Sequence, residues 1–337
     1  MAGVPASEIS GHRSGKRHGA PGGLSEASLI HQGPPARTQN TRLCEKIENW
    51  PRQPNRATAI CMGLVAKDDR WRIPDELWAK MEPLLPSPPP HPLGCHRPRV
   101  PDREALNAIV FVLRTGCPWN ALNGTGICTS SSAHRRFLEW TQEGVFHEFW
   151  RRGLLAYDSL KELDWSWLAM DGAMTKAPLG GEKTGPNPTD RAKDGTKRSL
   201  LVDATGIPLG LAVDGANRND HKLFAETVQS IPVTRPRPTP REPQGMCLDK
   251  GYDYDEVREL GIAFGFTMHI RCRGEEAKAL KKTATVRARR WVVERTHSWM
   301  NRFRRILVRW EKREDTFFAM LHLVCGIITW RACDLLG

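Results

Sequence analysis

The sequence has no apolar run long enough to cross a bilayer. Its longest run, Ala319–Trp330, contains His322 and falls short of the roughly 20 apolar residues that a transmembrane helix needs. No apolar signal segment stands at the N-terminus either. These two features predict a cytoplasmic protein without a membrane partner, and they predict that Ala319–Trp330 is a buried core helix.

Paired cysteines are also missing. The nine cysteines are scattered, with no CxxC pair and no histidines at zinc-finger spacing. A structural zinc site is therefore not expected, and reduced thiols are the simpler interpretation. Tyrosine is scarce, with three residues against twelve tryptophans. Most of the tryptophans fall at apolar helical positions, where we expect core packing.

Acidic residues are outnumbered by basic ones. The chain has 50 Lys and Arg against 38 Asp and Glu, which gives a formal net charge of +12. Such an excess favours a polyanionic partner, either nucleic acid or an anionic membrane surface. Because no membrane segment is evident, nucleic acid is the favoured partner.

Residues 1–61 are rich in Gly, Pro, Ser, His and Arg and show no sustained periodicity. Such a segment cannot bury enough apolar surface to offset the entropy lost on ordering, so it is predicted to be a disordered basic extension. Two interpretations stay open. It is either a basic arm that touches DNA, or an upstream extension outside the functional protein, since organised sequence begins just after Met62.

Residues 62–160 show helical periodicity. In "IPDELWAKMEPLLP" one apolar stripe predicts a helix that Pro86 ends, and "VPDREALNAIVFVLRTG" predicts a second helix that stops at Gly116. A third helix is expected to begin at the serines 130–132, which can cap it, and to end near Gly144. This order of elements predicts a small all-α domain.

The third predicted helix carries basic side chains in its first turns. His134, Arg135 and Arg136 are expected on its exposed face. A helix, a turn and a second helix with basic residues at its N-terminal end suit a helix-turn-helix, which presents such residues to a major groove. Any small helical bundle gives a similar pattern, so DNA binding by this domain is one of two open interpretations.

Residues 161–337 mix strand and helix patterns. "WSWLAMDGAMTKAP" predicts a strand, and "RSLLVDATGIPLGLAVDGA" predicts a hairpin around Thr205 and Gly206. "GMCLDKGYDYDEVRELGIAFG" predicts a strand, a turn and a helix, and the last seventy residues are expected to be helical throughout. This order fits a mixed α/β sheet of the ribonuclease H type, although other α/β folds have the same order.

Two aspartates follow strand patterns. Asp171 in "LAMDGAMTK" and Asp249 in "MCLDKGYD" are expected at strand ends, where an α/β sheet collects ligands and holds side chains rigidly. An aspartate before glycine also commonly starts a turn. Asp203 and Asp214 are expected to serve the hairpin geometry in that way.

A single carboxylate, Glu294, lies within the arginine-rich stretch "RARRWVVERTHSWMNRFRR". On a helical wheel it lies off the apolar stripe, beside Arg290, His297 and Arg305. The simplest interpretation is that it pairs with a neighbouring arginine on an exposed helix face. Together with two strand-end aspartates, however, it can hold hard cations for phosphodiester chemistry.

The motifs that carry these residues resemble those of a known family. From about residue 71 to residue 332 the chain resembles a DDE transposase of a bacterial insertion sequence, in the family-five branch close to family four. The resemblance rests on "DGAMTKAPLGGEKTGPNPTDR", "GIPLGLAVDGANRNDH", "DKGYD" and "RRWVVERTHSWMNRFRR", with "LWAKMEPLLP" and "DREALNAIVFVLRTGCPW" in the helical part.

The resemblance implies a ribonuclease H-like core in which Asp171, Asp249 and Glu294 bind two Mg²⁺ ions, with Mn²⁺ expected to substitute. It also implies that Arg290 contacts DNA near the site. The family signature has a tyrosine three residues before that arginine, where this chain has Arg287.

The same signature has a lysine seven residues after the glutamate, where this chain has Asn301. Arg302 or Arg305 could substitute for that lysine in contacting phosphate. Lys250, next to the second aspartate, is a further candidate for a phosphate contact or a charge-balancing group.

The family implies a transposase that binds the terminal inverted repeats of its element in double-stranded DNA, cleaves there and joins the 3′ ends to target DNA. A homodimer is expected in the DNA complex. Two alternatives stay open: a catalytically inactive DNA-binding protein from a decayed element, and a metal-dependent nuclease of the same fold. The predicted domains are a disordered extension at 1–61, a helical DNA-binding domain at 62–160 and a catalytic domain at 161–337.

Overall fold

The computed structural model describes residues 72–88, 99–270 and 291–333. The predicted extension at 1–61 lies outside these residues. The first part of the described chain is helical, as predicted. Its helices are α1 (Asp75–Met81), α2 (Asp102–Thr115), α3 (Ser130–Gln142) and α4 (Val145–Lys161), with 3₁₀ turns at Glu82–Leu84 and Trp119–Gly124.

Helix α2 has the boundaries that its sequence predicts. Asp102 and Glu104 lie in the first turn, where their negative charges interact favourably with the positive end of the helix dipole. Gly116 ends the helix with a φ of 72°, a left-handed conformation that glycine adopts without strain. The helix buries Leu106 and Leu113 on its apolar face.

The connection between α2 and α3 is longer than the turn of a helix-turn-helix. It spans residues 116–129 and contains the 3₁₀ turn Trp119–Gly124. A helix-turn-helix joins its helices through about three or four residues. In this connection the ring of Trp119 packs on His134 and Phe137 of α3, with distances between ring centroids of 5.1 and 5.4 Å. The connection is therefore an ordered element that packs against the N-terminal half of α3.

The second part of the chain forms a mixed sheet. Its strands are β1 (Trp167–Lys176), β2 (Gly185–Pro186), β3 (Asp194–Val202), β4 (Pro208–Gly215), β5 (Gln244–Leu248) and β6 (Phe266–Ile270). Strand β3 pairs antiparallel with β1, β2 and β4, whereas β5 pairs parallel with β1 and with β6. Four antiparallel strands, β1 to β4, followed by the parallel strands β5 and β6 form a ribonuclease H-like sheet, which confirms the predicted fold class.

Five helices belong to this second part in the described chain. They are α5 (Phe224–Gln229), α6 (Asp255–Ala263), α7 (Trp291–Met300), α8 (Arg304–Leu307) and α9 (Glu314–Ala332), with 3₁₀ turns at Asp220–Leu223 and Lys250–Tyr252. The loop between α5 and β5 has no regular structure, as its prolines predict.

The prediction of continuous helix at the C-terminal end is wrong. Helix α7 ends at Met300, and residues 308–313 are not helical. The reason is that the chain here supplies a partner to the free edge of β1. The Arg309 amide donates to the Lys176 carbonyl at 2.8 Å, and Val308 forms a β-bridge with Lys176.

Helix α9 contains the longest apolar run and is buried, as predicted. It packs on α4, and Gly326 makes this approach possible because a Cβ there would collide with the Phe149 ring. The indole of Trp150 donates to the Pro208 carbonyl at 3.0 Å, which ties α4 to the sheet. Within residues 72–88, 99–270 and 291–333, no helix has both the length and the apolar character needed to cross a membrane.

The predicted hairpin is present, and Asp203 organises its loop. The Asp203 carboxylate is fully buried and accepts hydrogen bonds from the amides of Thr205 and Ile207 at 2.9 and 2.8 Å. It also accepts from the Thr205 hydroxyl and the Asp164 amide. Asp214 instead lies in β4, where it accepts from the Gly215 amide. The expectation of a turn role is thus confirmed for Asp203.

We expect Asp203→Ala to lower the free energy of unfolding by about 3 kcal/mol or more, because several buried donors lose their acceptor. Asp203→Asn should cost less, since one acceptor oxygen remains. Asp214→Asn is the control and should cost under about 1 kcal/mol, because its partner Arg218 is exposed. Urea unfolding followed by circular dichroism measures all three, and equal losses for Asp203→Ala and Asp214→Asn would contradict the assignment.

Candidate active site

Asp171 lies in the middle of β1 and not at its end, which corrects the prediction. Strand β1 continues through Lys176 because it pairs with β3 from Ala169 to Lys176, whereas its pairing with β5 covers only Trp167–Ala169. Beyond Ala169 the β5 side of β1 is therefore open. Asp171 lies at the start of this open edge and is half-buried.

The glycine after Asp171 does not form a turn. Gly172 is a strand residue, and a Cβ at this position would collide with the carboxylate of Asp220. The alternative interpretation of the Asp-Gly pair as a turn is therefore wrong. A glycine is needed here because another acidic side chain packs directly against the strand.

Asp249 follows β5 directly, as predicted. The register pairs Ala169 with Cys247, so two further residues along each strand bring Asp171 opposite Asp249. Neighbouring strands lie about 5 Å apart, and parallel partners point to the same face. The two carboxylates therefore belong to one face of the sheet. One Asp249 oxygen, Oδ1, accepts from the Gly251 amide at 2.7 Å, which fixes the side chain.

Glu294 lies on α7, which packs on β1 and β3. His297, one turn further along α7, places its Nε2 at 3.3 Å from the Asp171 carbonyl oxygen. Because a carbonyl oxygen only accepts, Nε2 is the donor. Residues three apart share a helix face, so Glu294 lies on the side of α7 that faces the Asp171 edge, and it is exposed.

The three carboxylates are not gathered into a closed metal-binding group. Among the residues that the structure describes, no cluster of three or more His, Cys, Asp or Glu side chains is close enough to hold a metal ion. The two aspartates come from adjacent strands and the glutamate from the helix beside them. Their oxygen donors are of the kind that hard divalent cations prefer.

His297 does not lie on an exposed polar face of α7, which corrects the expectation from the helical wheel. Its side chain is buried, and burial together with the nearby Arg198 charge lowers its pKa to about 3. The ring is therefore neutral at physiological pH. Its role is to tie α7 to the strand that carries Asp171.

Arg198 explains the asparagine at the position where the family has lysine. Its guanidinium is buried to 1% exposure on β3, and burial lowers its pKa to about 10. It donates to the Asn301 side-chain oxygen and, at 3.3 Å, to the Ile306 carbonyl. Asn301 thus has a structural partner inside the protein. Nothing in the local pattern of β3 distinguishes Arg198 from a solvent-exposed strand arginine.

A second polar cluster lies on the opposite face of β1. Lys197 is buried and its ammonium lies 3.1 Å from Asp220. Tyr252, in the turn after Asp249, is fully buried, and its pKa is raised well above the usual value by burial and by the charges of Asp220, Asp171 and Asp249. The sequence reasoning missed this cluster, although Tyr252 belongs to the quoted motif "DKGYD".

The basic residues predicted near the carboxylates separate into two groups. Lys250 and Arg302 are exposed. Arg305 is buried, forms an ion pair with Glu311 at 2.7 Å and donates to the Cys117 carbonyl. The expectation that Arg305 lies on an exposed face beside Glu294 is therefore wrong. Arg290 lies outside the described residues.

Fewer basic side chains of α3 are exposed than predicted. Arg136 is buried and forms an ion pair with Asp102, so the expectation that it is exposed is wrong. His134 is half-buried, and burial lowers its pKa. Arg135 is exposed and is the residue of this group that remains available to a partner.

The pKa of His297 predicts a pH dependence of stability. The native pKa of about 3 lies below the ordinary value of 6.5, so the unfolded chain binds this proton first and stability falls as pH drops below about 6.5. Between pH 7 and 5 this histidine should lower the free energy of unfolding of the wild type by about 2 kcal/mol. The His297→Gln variant should lose about 2 kcal/mol less over the same range. Above pH 8 the difference in free energy of unfolding between the two proteins should be constant. Parallel curves over the whole range would refute this assignment.

Two family descriptions match the chain. The family described as "Putative transposase of IS4/5 family" matches residues 73–150, which hold the helical part. The family described as "Transposase DDE domain" matches residues 166–330, which contain Asp171, Asp249 and Glu294. The two matches divide the chain between the last helix of the helical part and the first strand of the sheet.

Curated relatives agree with this match. The chain is 40% identical over 157 residues to the "Putative transposase for insertion sequence element IS402" of Burkholderia cepacia, covering 45% of this chain and 70% of that protein. It is 36% identical over 118 residues to an "Insertion element IS402 uncharacterized 16.2 kDa protein" of the same organism, covering 34% of this chain and 80% of that protein.

A solved structure is more distant. The catalytic domain of Mos1 mariner transposase is 11% identical, with a TM-score of 0.25, over 56% of this chain and 89% of that chain. Family membership rests on the sequence matches. By these matches the chain belongs to the DDE transposases of the IS4/5 family.

Proposed function

We propose that this chain is an active transposase that binds the terminal inverted repeats of its insertion sequence, cleaves the DNA there and transfers the 3′ ends to target DNA. One observation carries the proposal. The register of β1 and β5 brings Asp171 opposite Asp249 on one face of the sheet, and His297 ties the helix of Glu294 to the backbone of Asp171.

The chemistry of the donor set fits divalent cations. Asp171, Asp249 and Glu294 would hold Mg²⁺, with Mn²⁺ as a substitute. Asp249 uses one oxygen for the Gly251 amide and keeps the other for a cation. Such ions, held by these three carboxylates, would supply activation of the attacking water or 3′-hydroxyl and charge stabilisation at the leaving oxygen. Hydrolysis and strand transfer then need no covalent bond between protein and DNA.

The surrounding residues hold the carboxylates in place. The strand fixes Asp171, the backbone amide fixes Asp249, and α7 presents Glu294. Behind them Lys197 offsets the charge of Asp220 at 3.1 Å. Tyr252 is buried beneath the site, where burial and the charges of Asp220, Asp171 and Asp249 raise its pKa.

Basic residues would guide the DNA. We assign phosphate contacts to Arg135 on α3, to Lys250 next to Asp249 and to Arg302 just after α7, all of which are exposed. Arg290 belongs to the same proposal. The helical domain at 62–160 would bind the repeats, and the domain at 161–337 would cut them within a homodimer on double-stranded DNA, in the bacterial cytoplasm.

We expect Asp171→Asn, Asp249→Asn and Glu294→Gln each to reduce Mg²⁺-dependent strand cleavage by about a thousandfold or more, since each removes several kcal/mol of transition-state stabilisation. Binding to the same DNA should change little. Asp214→Asn, which alters a carboxylate on β4, is the matched control and should keep cleavage. The assay uses a labelled DNA fragment from the end of the element. The repeat sequence of this fragment is read from the DNA that flanks the gene.

The same assay separates the alternatives. A nuclease of this fold would cut without joining the 3′ ends to target DNA. A protein from a decayed element would bind the fragment without metal-dependent nicking. Full cleavage by the Glu294→Gln variant would remove Glu294 from the proposed site and leave the two aspartates to be reassigned.

We expect Arg135→Gln to weaken binding of the terminal fragment severalfold and to reduce the slope of log affinity against log salt by about 1, because one phosphate contact is lost. Arg152→Gln removes another exposed arginine, on α4, whose guanidinium donates to Glu148. This control should leave both quantities unchanged. Equal behaviour of the two variants in a fluorescence anisotropy titration would exclude Arg135 from the DNA contact.

A further inference from the structure

Part of β1 is paired with a strand on one side and not on the other. Its pairing with β3 runs from Ala169 to Lys176, whereas its pairing with β5 ends at Ala169. The next partner on the β5 side within the described chain is Val308, which bridges to Lys176. Asp171 therefore lies in a stretch of strand whose position depends on the groups that pack against its two faces.

Helix α7 packs on one face of this stretch, and the residues Asp220 and Lys197 cover the other face at Gly172. A Cβ at Gly172 would overlap the Asp220 carboxylate and would lie 3.6 Å from Cδ of Lys197. Successive side chains of a strand point to opposite faces. Asp220 and Lys197 therefore lie behind β1 as seen from the Asp171 side chain.

Lys197 holds the Asp220 carboxylate in this position. Its ammonium lies 3.1 Å from Oδ1 of Asp220, and 9% of the lysine side chain is exposed. Lys197 belongs to β3, the strand that pairs with β1 along the whole of this stretch. The Asp220 carboxylate is therefore attached to β3 through a buried cation while it packs on the backbone of β1.

Tyr252 lies between this ion pair and the proposed site. Its ring is fully buried, in the turn that follows Asp249. Burial raises the pKa of its hydroxyl well above the usual value, and the charges of Asp220, Asp171 and Asp249 raise it further. The hydroxyl therefore lies within electrostatic range of all three carboxylates. This places Asp220 near both aspartates of the proposed site.

We propose that Asp220 is a positioning residue for Asp171. Held by Lys197, the Asp220 carboxylate supports β1 at Gly172, and this support keeps the Asp171 carboxylate where a divalent cation can bind. The inference rests on the proposed function, because it assumes that Asp171 is a ligand of such a cation. Asp220 itself contacts neither the cation nor the DNA.

Packing and charge make different predictions for Asp220. If its carboxylate supports the strand by packing, an asparagine should replace it, because the amide has the same shape and still offers an oxygen to Lys197. If Asp220 acted as a further cation ligand or through its charge alone, asparagine would fail as alanine does. The comparison of the two substitutions therefore decides between these roles.

The test measures binding of Mn²⁺ to the protein without DNA, by electron paramagnetic resonance. We expect Asp220→Ala to weaken Mn²⁺ binding about tenfold, because loss of a residue that orients a metal ligand typically costs about 10- to 100-fold in affinity. Asp220→Asn should bind Mn²⁺ nearly as tightly as the wild type. Glu256→Gln is the matched control, since it breaks the exposed ion pair that Lys222 forms in the same turn, and it should leave binding unchanged.

Substitution of the glycine tests the same contact from the side of the strand. The methyl group of Gly172→Ala would displace the Asp220 carboxylate, so this variant should also weaken Mn²⁺ binding about tenfold. In the double variant with Asp220→Ala the methyl group has room, and binding should be no weaker than in either single variant. Losses that multiply would show that the two residues act independently and would overturn the inference.

Cleavage of the terminal fragment supplies a readout that general destabilisation would not change. The Mg²⁺ concentration that gives half-maximal cleavage should rise about tenfold in Asp220→Ala. Cleavage at saturating Mg²⁺ and binding of the fragment should stay close to those of the wild type. A lower maximal rate with unchanged dependence on Mg²⁺ would indicate loss of folded protein instead, and would contradict the positioning role.

A second variant covers the case in which Asp220→Ala does not fold. Asp220→Ala leaves Lys197 buried without its partner, whereas Asp220→Ala combined with Lys197→Met removes both charges of the pair. This double variant lacks the same support at Gly172, so it should show the same weakening of Mn²⁺ binding. Thermal unfolding sets a temperature at which every compared variant is folded.

The Asp171→Asn variant separates this inference from the proposed function. If Asp171→Asn weakens Mn²⁺ binding and Asp220→Ala does not, the positioning role is wrong and the proposed site stands. Equal weakening by Asp220→Ala and Asp220→Asn would also overturn the positioning role, because the charge of Asp220 would then matter and not its packing. If Asp171→Asn leaves Mn²⁺ binding unchanged, the proposed cation site fails and this inference fails with it.

Discussion

The geometry of the site depends on the buried guanidinium of Arg198. Its hydrogen-bond acceptors in the described chain are neutral, the Asn301 amide oxygen and the Ile306 carbonyl. A buried cation is costly without such partners, so the native state requires both acceptors to stay in place. They flank the turn that ends α7 and begins α8. By fixing this turn to β3, the arginine sets the position of α7 against the sheet, and with it the position of Glu294.

The fold could be predicted to a large extent because strands and helices leave periodic patterns in the sequence. The hairpin, the order of elements and the buried α9 all follow from local periodicity. The adjacency of Asp171 and Asp249 needed only the assumption that their strands are neighbours. The length of β1 could not be predicted, because Lys176 stays in the strand through pairing with β3 and with the distant Val308.

The roles of individual cations were harder to predict. Arg136 and Arg305 look like DNA contacts in the sequence, yet each has a carboxylate partner, Asp102 or Glu311, that no helical wheel of its own segment would reveal. His297 was misplaced for a related reason. A helical wheel shows which face of an isolated helix is apolar. It cannot show that the edge of a sheet covers part of the polar face, as the Asp171 carbonyl does when it accepts a hydrogen bond from His297.

The use of residues 297–309 to complete the open edge of β1 has a consequence for the timing of assembly. The contact between His297 and Asp171 joins positions separated by 126 residues. Contacts of such long range form late, because a large loop must close first. During synthesis the strand carrying Asp171 leaves the ribosome well before the segment that covers its edge. The three carboxylates of the proposed site can therefore meet only after nearly the whole chain has been made, so an unfinished chain contains the strands of the sheet but not the assembled site.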